Sequence, residues 1–313
     1  MDGLDIRILR AMGPVPYVAR GIGVDAVRPA HLARILGVTA ETVRDRIARM
    51  ESSGVIAGYD VIPNLRHFGL EATAYLVRPP DESHRELIRA AVGHVEGLLE
   101  VTYFLGPEFC VDLSYQSAAQ RDRRMRAIAE AAGDPRPVPF MGWMMPPVAR
   151  KLTALDWRII RALRGRAKRS LVDVSEELGV GYRTAKRHHD RMVEEGSLFV
   201  KPKLDPGAEP GLVPFALLVF FTPEADSETA ARVRRELDDH FLFAQVPLSP
   251  QYGHLSAMVF ANAVRHVEDL RQRCDRVPGV DRVQALVLSE IEARTDWVDD
   301  LIETMIKDTT PAF

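Results

Sequence analysis

Apolar residues recur at helical spacing near the start of the chain. Leu4, Ile8, Leu9 and Met12 form one stripe, which predicts an amphipathic first helix. Val43, Ile47 and Met50, at i, i+4 and i+7, form another. Between them lies Leu36-Gly37-Val38-Thr39, where a short apolar helix meets a glycine turn and a threonine able to cap the next helix. Over Arg28–Ile56 this is the pattern of a helix-turn-helix, whose second helix can lie in the DNA major groove.

The pattern occurs twice. Leu155-Asp156-Trp157-Arg158-Ile159-Ile160-Arg161-Ala162-Leu163 repeats Leu4–Met12 at an offset of 151, and Leu178-Gly179-Val180 repeats the turn at an offset of 142. The first half therefore carries about nine extra residues, expected as a loop in the Pro- and Gly-rich stretch Gly13–Gly23. A repeat this long means duplicated domains rather than a solenoid.

Gly54–Pro63 reads as a small β wing, and Gly196–Lys203 as its counterpart. After each comes the order βαββαβ. In the first half it runs through Ala72–Val77, His84–Val95, Leu98–Leu105, Phe109–Tyr115, Ala118–Ala132 and Val138–Met145. In the second it runs through Pro214–Phe221, Glu228–His240, Phe243–Leu248, Leu255–Asn262, Val264–Cys274 and Val280–Leu288. This is the ferredoxin-like split βαβ order. The unbroken apolar run Phe215–Phe221 predicts a strand covered on both faces, by helices and by another sheet. Trp297–Ile306 reads as a closing amphipathic helix. The expected class is α+β, a duplicated winged helix-turn-helix plus ferredoxin-like module. The expected domains are 1–62, 63–150, 151–205 and 206–295, with a C-terminal helix and tail at 296–313.

Composition narrows the class without naming a function. The 313 residues are 46% hydrophobic and 27% charged, with a net charge of −3, so any footprint for nucleic acid must be local. Cys110 and Cys274 share no CxxC spacing, which argues for a reducing compartment and against a zinc site. No signal-peptide pattern and no apolar run of membrane-spanning length is seen. A cytoplasmic protein without a membrane partner is expected. The residues call for no metal and no cofactor. His188 and His189 point about 100° apart on a helix and read as core or surface histidines.

Both halves resemble the leucine-responsive/AsnC (feast/famine) regulators. The residues that carry this are Leu4-Asp5 with Ile8-Leu9, Leu32-Ala33, Leu36-Gly37-Val38-Thr39, Thr42-Val43-Arg44 with Arg46-Ile47, Gly54-Val55-Ile56, and Pro63 with Phe68-Gly69-Leu70. The second copy matches at Leu155-Asp156, Ile159-Ile160, Val174–Val180, Thr184 and Gly196. The resemblance implies two fused copies, double-stranded DNA as partner, and a sheet module that oligomerises and binds an amino acid or similar effector. A homo-oligomer or an intrachain pseudo-dimer is expected.

For DNA contact the first copy offers Thr39, Glu41, Thr42, Arg44, Arg46 and Arg49. Arg44 is the best base reader, since guanidinium bonds guanine bidentately, while Arg46 and Arg49 suit phosphates. The second copy offers Tyr182, Arg183, Thr184, Lys186 and Arg187, around a stripe of Ala185, His189 and Met192. It is the more basic, with twelve Lys/Arg against six acids over Trp157–Lys203, compared with eight against five over Leu4–Ile56. The expectation is a division of labour, the first helix supplying selectivity and the second grip.

The resemblance places an effector loop at Leu105-Gly106-Pro107-Glu108-Phe109. Phe109 stands where the family commonly has aspartate, leaving Gly106 and Glu108 as candidates. Ser249–His254 is the second copy's loop, with Gly253. A related branch, the sirohaem decarboxylases, works on a tetrapyrrole with histidine- and tyrosine-rich strands, for which Val101–Phe104 and Gln251–His254 are poor stand-ins. No catalytic set is recognisable, and the chain is expected to be a regulator and not an enzyme. The alternatives are a tetrapyrrole enzyme and a non-DNA-binding sensor or scaffold.

Overall fold

The structure, a computed structural model, describes residues 1–12, 29–80, 85–133, 136–143, 145–165, 169–205, 208, 211–238, 240–245 and 253–309. The expected loop at Gly13–Gly23 and the turn residues Ser249–Tyr252 lie outside the described residues. In chain order the elements are α1 (Gly3–Met12), α2 (Pro29–Leu36), α3 (Ala40–Ser52), β1 (Ile56–Pro63), a 3₁₀ turn (Leu65–Phe68), β2 (Glu71–Val77), α4 (Arg85–Gly93), β3 (Leu98–Phe104), β4 (Phe109–Tyr115), α5 (Ala118–Ala132) and β5 (Val138–Trp143). There follow α6 (Ala154–Leu163), α7 (Leu171–Leu178), α8 (Tyr182–Glu194), β6 (Leu198–Leu204), β7 (Val213–Phe221), α9 (Ser227–Leu237), β8 (Phe241–Gln245), β9 (His254–Ala261), α10 (Val264–Asp275), β10 (Val280–Ala293) and α11 (Trp297–Thr309). The class is α+β, with winged-helix and ferredoxin-like parts, each present twice. The parts interleave along the chain as two compact units. One holds Met1–Arg10, Ala72–Trp143 and Pro206–Arg294; the other holds Ala11–Glu71, Met144–Asp205 and Thr295–Phe313.

The first unit is built on an eight-stranded sheet ordered β5-β2-β4-β3-β10-β7-β9-β8. Numbered within its own half, each set of four strands runs 4-1-3-2, the ferredoxin-like arrangement. The halves meet where β10 pairs antiparallel with β3, from Leu288 opposite Phe104 to Ala293 opposite Glu100. The apolar pattern alone ends this strand at Leu288. The strand continues to Ala293 because it changes partner from β7 to β3, and its polar residues Ser289, Glu290 and Glu292 hide the extension.

Helices cover one face of each half. Val77, Val101, Val111 and Leu113 pack with Ile88, Val92 and Ile128 in the first. Phe215, Leu217, Val219 and Val259 pack with Val233, Leu237 and Leu270 in the second. The opposite faces share a third core, in which Ala74, Leu76, Phe104, Cys110 and Phe140 meet Ala216, Leu218, Leu286 and Leu288. A buried hydrogen bond of 2.7 Å from Ser256 Oγ to the Phe140 carbonyl crosses this layer. The run Phe215–Phe221 is thus covered on both faces, alternate residues facing helices and the other half-sheet. At about 1.5–3 kcal/mol for each fully buried large apolar side chain, these layers dominate the unit's stability.

In the second unit the two expected wings join in one two-stranded sheet. β1 pairs antiparallel with β6, from Ile56 opposite Leu204 to Pro63 opposite Leu198. Each copy contributes one strand, and Val55, Ile56, Tyr59, Val61, Leu198 and Phe199 are buried by the exchange. Asn64 fastens the joint. Its side chain donates to the carbonyls of Pro146 (3.0 Å) and Gly196 (2.9 Å), and its amide donates to Ser197 (2.9 Å). Trp157, fully buried, packs against His67 and Phe68 of the 3₁₀ turn. The closing helix α11 packs on α6.

The Asp shared by the two copies of the first helix has a structural reason. The Asp2 amide donates to Asp5 and the Asp5 amide to Asp2; Thr153 and Asp156 make the same reciprocal pair before α6. Each is a capping box, satisfying amides that the first helical turn leaves without partners.

Candidate nucleic-acid interface

Each helix-turn-helix turns on a left-handed glycine. Gly37 has φ +68° and Gly179 φ +65°, with no neighbour within 4 Å of an added Cβ at either. Backbone conformation rather than space selects glycine there. Behind Gly37, Thr39 caps α3. Its hydroxyl accepts from the Thr42 amide at 3.1 Å and lies 2.8 Å from the Thr42 hydroxyl. Thr39 and Thr42 thus hold one another at the start of the helix. α8 begins at Gly181, which offers no side-chain cap.

The face of α3 that carries Val43, Ile47 and Met50 is buried. On the other side Glu41, Arg44, Asp45, Ala48 and Arg49 are exposed, while Thr42 and Arg46 are half-buried. Arg44 makes no ion pair among the described residues, so its guanidinium is available to a partner.

The second copy buries Ala185, His189 and Met192. Tyr182, Arg183 and Arg187 are exposed, and Thr184 is half-buried. Lys186 is paired with Asp190, and Arg191 with Glu195 at 2.9 Å. The charge count taken from sequence therefore overstates the free positive charge, since Arg161, Arg164 and Arg169 also hold carboxylates. Neither histidine of the pair stands alone. His188 Nδ1 lies 2.7 Å from Asp156 and His189 Nδ1 3.1 Å from Asp190.

Asp156 sits at the centre of a buried cluster that sequence reasoning missed. It accepts from Arg150 Nη1 at 2.7 Å and from the Thr153 amide at 2.8 Å, while Arg150 Nε reaches Glu195 at 2.8 Å. Burial alone would raise the Asp156 pKa, but the donors from Arg150, Thr153 and His188 hold it at about 2. His67 is pushed down to about 4, by burial first and by Arg150 second, against the opposing pull of Glu195 and Asp156. Arg150 and His67 stand outside every repeated motif, so no sequence signal marked them.

The effector candidates lie in the sheet unit. Gly106 has φ +107° in the β3–β4 turn, and half-buried Glu108 closes that turn through its carbonyl, which accepts from the Phe104 amide at 3.3 Å. Phe109 is buried against Tyr103 and belongs to the core. Gly253 has φ +62° and precedes β9. Gly106 and Glu108 are thus brought together in one turn, with Gly253 before a strand of the other half.

No protein-family model matches the chain, and no curated protein matches it. Among solved structures, the sirohaem decarboxylase NirDL matches at 13% identity over 97% of this chain and 99% of that one, with a TM-score of 0.56. The same enzyme in complex with an iron-uroporphyrin III analogue matches at 14% identity over 99% and 100%, with a TM-score of 0.55. AsnC of E. coli matches at 17% identity over 44% of this chain and 93% of its own, with a TM-score of 0.35. The likeness to NirDL is one of fold. It nevertheless corrects the expectation that the chain is not an enzyme, because a protein similar along its whole length is one. Among the described residues no helix is long and apolar enough to cross a membrane.

Proposed function

We propose that the chain is a sequence-specific DNA-binding transcriptional regulator of the leucine-responsive/AsnC type, made of two fused copies, with α3 and α8 as its recognition helices. The observation that carries this reading is the division of α3 into a buried stripe and an exposed face. Val43, Ile47 and Met50 are buried, while Glu41, Arg44 and Arg49 face outward. A groove-reading helix needs that arrangement. Arg44 reads a base; Arg46 and Arg49 hold phosphates. Tyr182, Arg183, Thr184, Lys186 and Arg187 serve the second contact. Two unlike helices favour an asymmetric operator over a strict palindrome. A small effector at Gly106, Glu108 or Gly253 modulates the response. The test is DNA selected from a random pool and bound by the protein and by Arg44→Ala. A loss of about 1–3 kcal/mol at one base position is expected. Unchanged preference removes Arg44 from base readout, and binding without any sequence preference ends the proposal.

The whole-chain likeness to NirDL supports a second reading, chemistry on the carboxylates of a tetrapyrrole. Incubation with sirohaem followed by mass spectrometry decides it. Loss of carboxylate mass supports an enzyme, and absence of both reaction and tetrapyrrole binding ends that reading.

A further inference from the structure

A cavity of about 420 Å³ lies between α6, α7 and α11, lined by Arg158, Arg161, Arg164, Arg169 and Glu177 together with Ala162, Leu178 and Ile306. Four guanidinium groups line it beside one carboxylate, Glu177, while Glu303 and Asp299 hold two of the arginines from the rim, so the wall keeps a cationic excess. Planar guanidinium forks match phosphate oxygens, and the three apolar residues give the cavity a side suited to a carbon skeleton. Its volume falls in the range of small-molecule sites, about 300–1,000 Å³.

The four arginines are not equivalent. Arg164 is committed to the fold, since it pairs with Asp299 and donates to the carbonyls of Val61 (3.1 Å) and Thr295 (3.2 Å). Arg161 pairs with Glu303 of α11 and Arg169 with Glu177 at the end of α7. Arg158 is exposed and makes no ion pair among the described residues. One guanidinium is therefore free, and two are held by carboxylates that are themselves partly exposed, Glu303 at 35% and Glu177 at 47%. Such partly exposed pairs contribute little, so a dianion arriving between them can displace them.

We infer that this cavity is a binding site for a small organic phosphate, with Arg158, Arg161 and Arg169 holding the phosphate and Ala162, Leu178 and Ile306 meeting its carbon portion. The site uses none of the residues proposed to read DNA or to hold an effector. Because Arg161 is shared between the ligand and Glu303, occupancy loosens one of the ties between α6 and α11.

Phenyl phosphate is a suitable probe, with phenol as the uncharged control, titrated calorimetrically into the full chain without DNA. Saturable binding with Kd at or below about 1 mM, and none by phenol, is expected. Arg158→Ala, at an exposed side chain with no ion pair to lose, is expected to weaken binding about tenfold. Glu303→Gln, which removes the competing carboxylate, is expected to tighten it. Absence of saturable binding, or binding unchanged by Arg158→Ala, overturns the site. Weaker binding by Glu303→Gln overturns the exchange of Arg161 between ligand and α11.

Discussion

His188 Nδ1 lies 2.7 Å from Asp156 Oδ1, so a side chain of α8 completes the polar cluster at the start of α6. Asp156 has no exposed surface and also receives Arg150 and Thr153. Removing its charge leaves Arg150, a mostly buried cation, without its nearest anion. Arg150 keeps Glu195 at 2.8 Å, so Asp156→Asn is expected to cost about 2–3 kcal/mol, the range for leaving charged hydrogen-bond donors without their acceptor. His188→Ala, at a more exposed partner, should cost about 1 kcal/mol. Urea unfolding checks both; equal midpoints for the two variants would show that Asp156 is not the hub.

The same cluster sets an acid limit. His67 is neutral in the fold, with its pKa lowered from 6.5 to about 4. In the unfolded chain it takes up a proton below its ordinary value. Its contribution is thus fully present above pH 6.5 and is lost as pH falls towards 4. Asp156, lowered from 3.8 to about 2, contributes above pH 3.8 and loses its share as pH falls through 2. The stability of this unit is expected to decline in two stages on acidification. His67→Phe should flatten the upper stage and leave the lower one. A urea midpoint series between pH 7 and about 2, ordinary limits for such titrations, distinguishes the two.

The cap of α3 makes a smaller prediction. Thr39→Ala removes the acceptor for the Thr42 amide and the partner of the Thr42 hydroxyl. It should cost about 1 kcal/mol, while Thr39→Asp should restore most of that loss. Thermal melting reports both. If the α3 surface reads DNA, Thr39→Ala should weaken binding through a frayed first turn, and Thr39→Asp, which again accepts from the Thr42 amide, should recover stability.

At the seam of the eight-stranded sheet, apolar burial and ion pairs compete for importance. Phe104 is fully buried in the core shared by both halves, and Phe104→Ala should cost about 3–5 kcal/mol. Arg89 on α4 pairs with Glu290 and Glu292 of β10 and lies over the Tyr103 ring at 4.8 Å. These groups are partly exposed, so Arg89→Ala should cost only about 0–1 kcal/mol. Chemical denaturation of the two variants ranks the effects, and a larger loss for Arg89→Ala would reverse the ranking.

Much of the architecture is legible in periodicity. The stripes Val43–Ile47–Met50 and Ala185–His189–Met192 are buried as their spacing predicts, and the βαββαβ order gives the strand order of each half. Three features were not legible, for separate reasons. The last five residues of β10 are mostly polar, and only their pairing with β3 makes them a strand. The partnership of β1 with β6 joins segments about 140 residues apart, beyond any local pattern. The cluster around Asp156 draws Arg150 from before α6, and His188 and Glu195 from α8 and its C-cap, two segments with no local pattern linking them. Charge counting failed differently, because it could not see that Lys186 and Arg191 already hold acids.

The pairing of β1 with β6 bears on how such a chain can be divided by evolution. A gene split between the halves would give two products, each with an apolar strand lacking its neighbour. Either product alone would present that edge to a second copy of itself or to other chains. Fission would therefore be tolerated only where both products are made together in matched amounts. Fusion removes that requirement, and once the halves are joined each strand is free to diverge so long as it still fits the other.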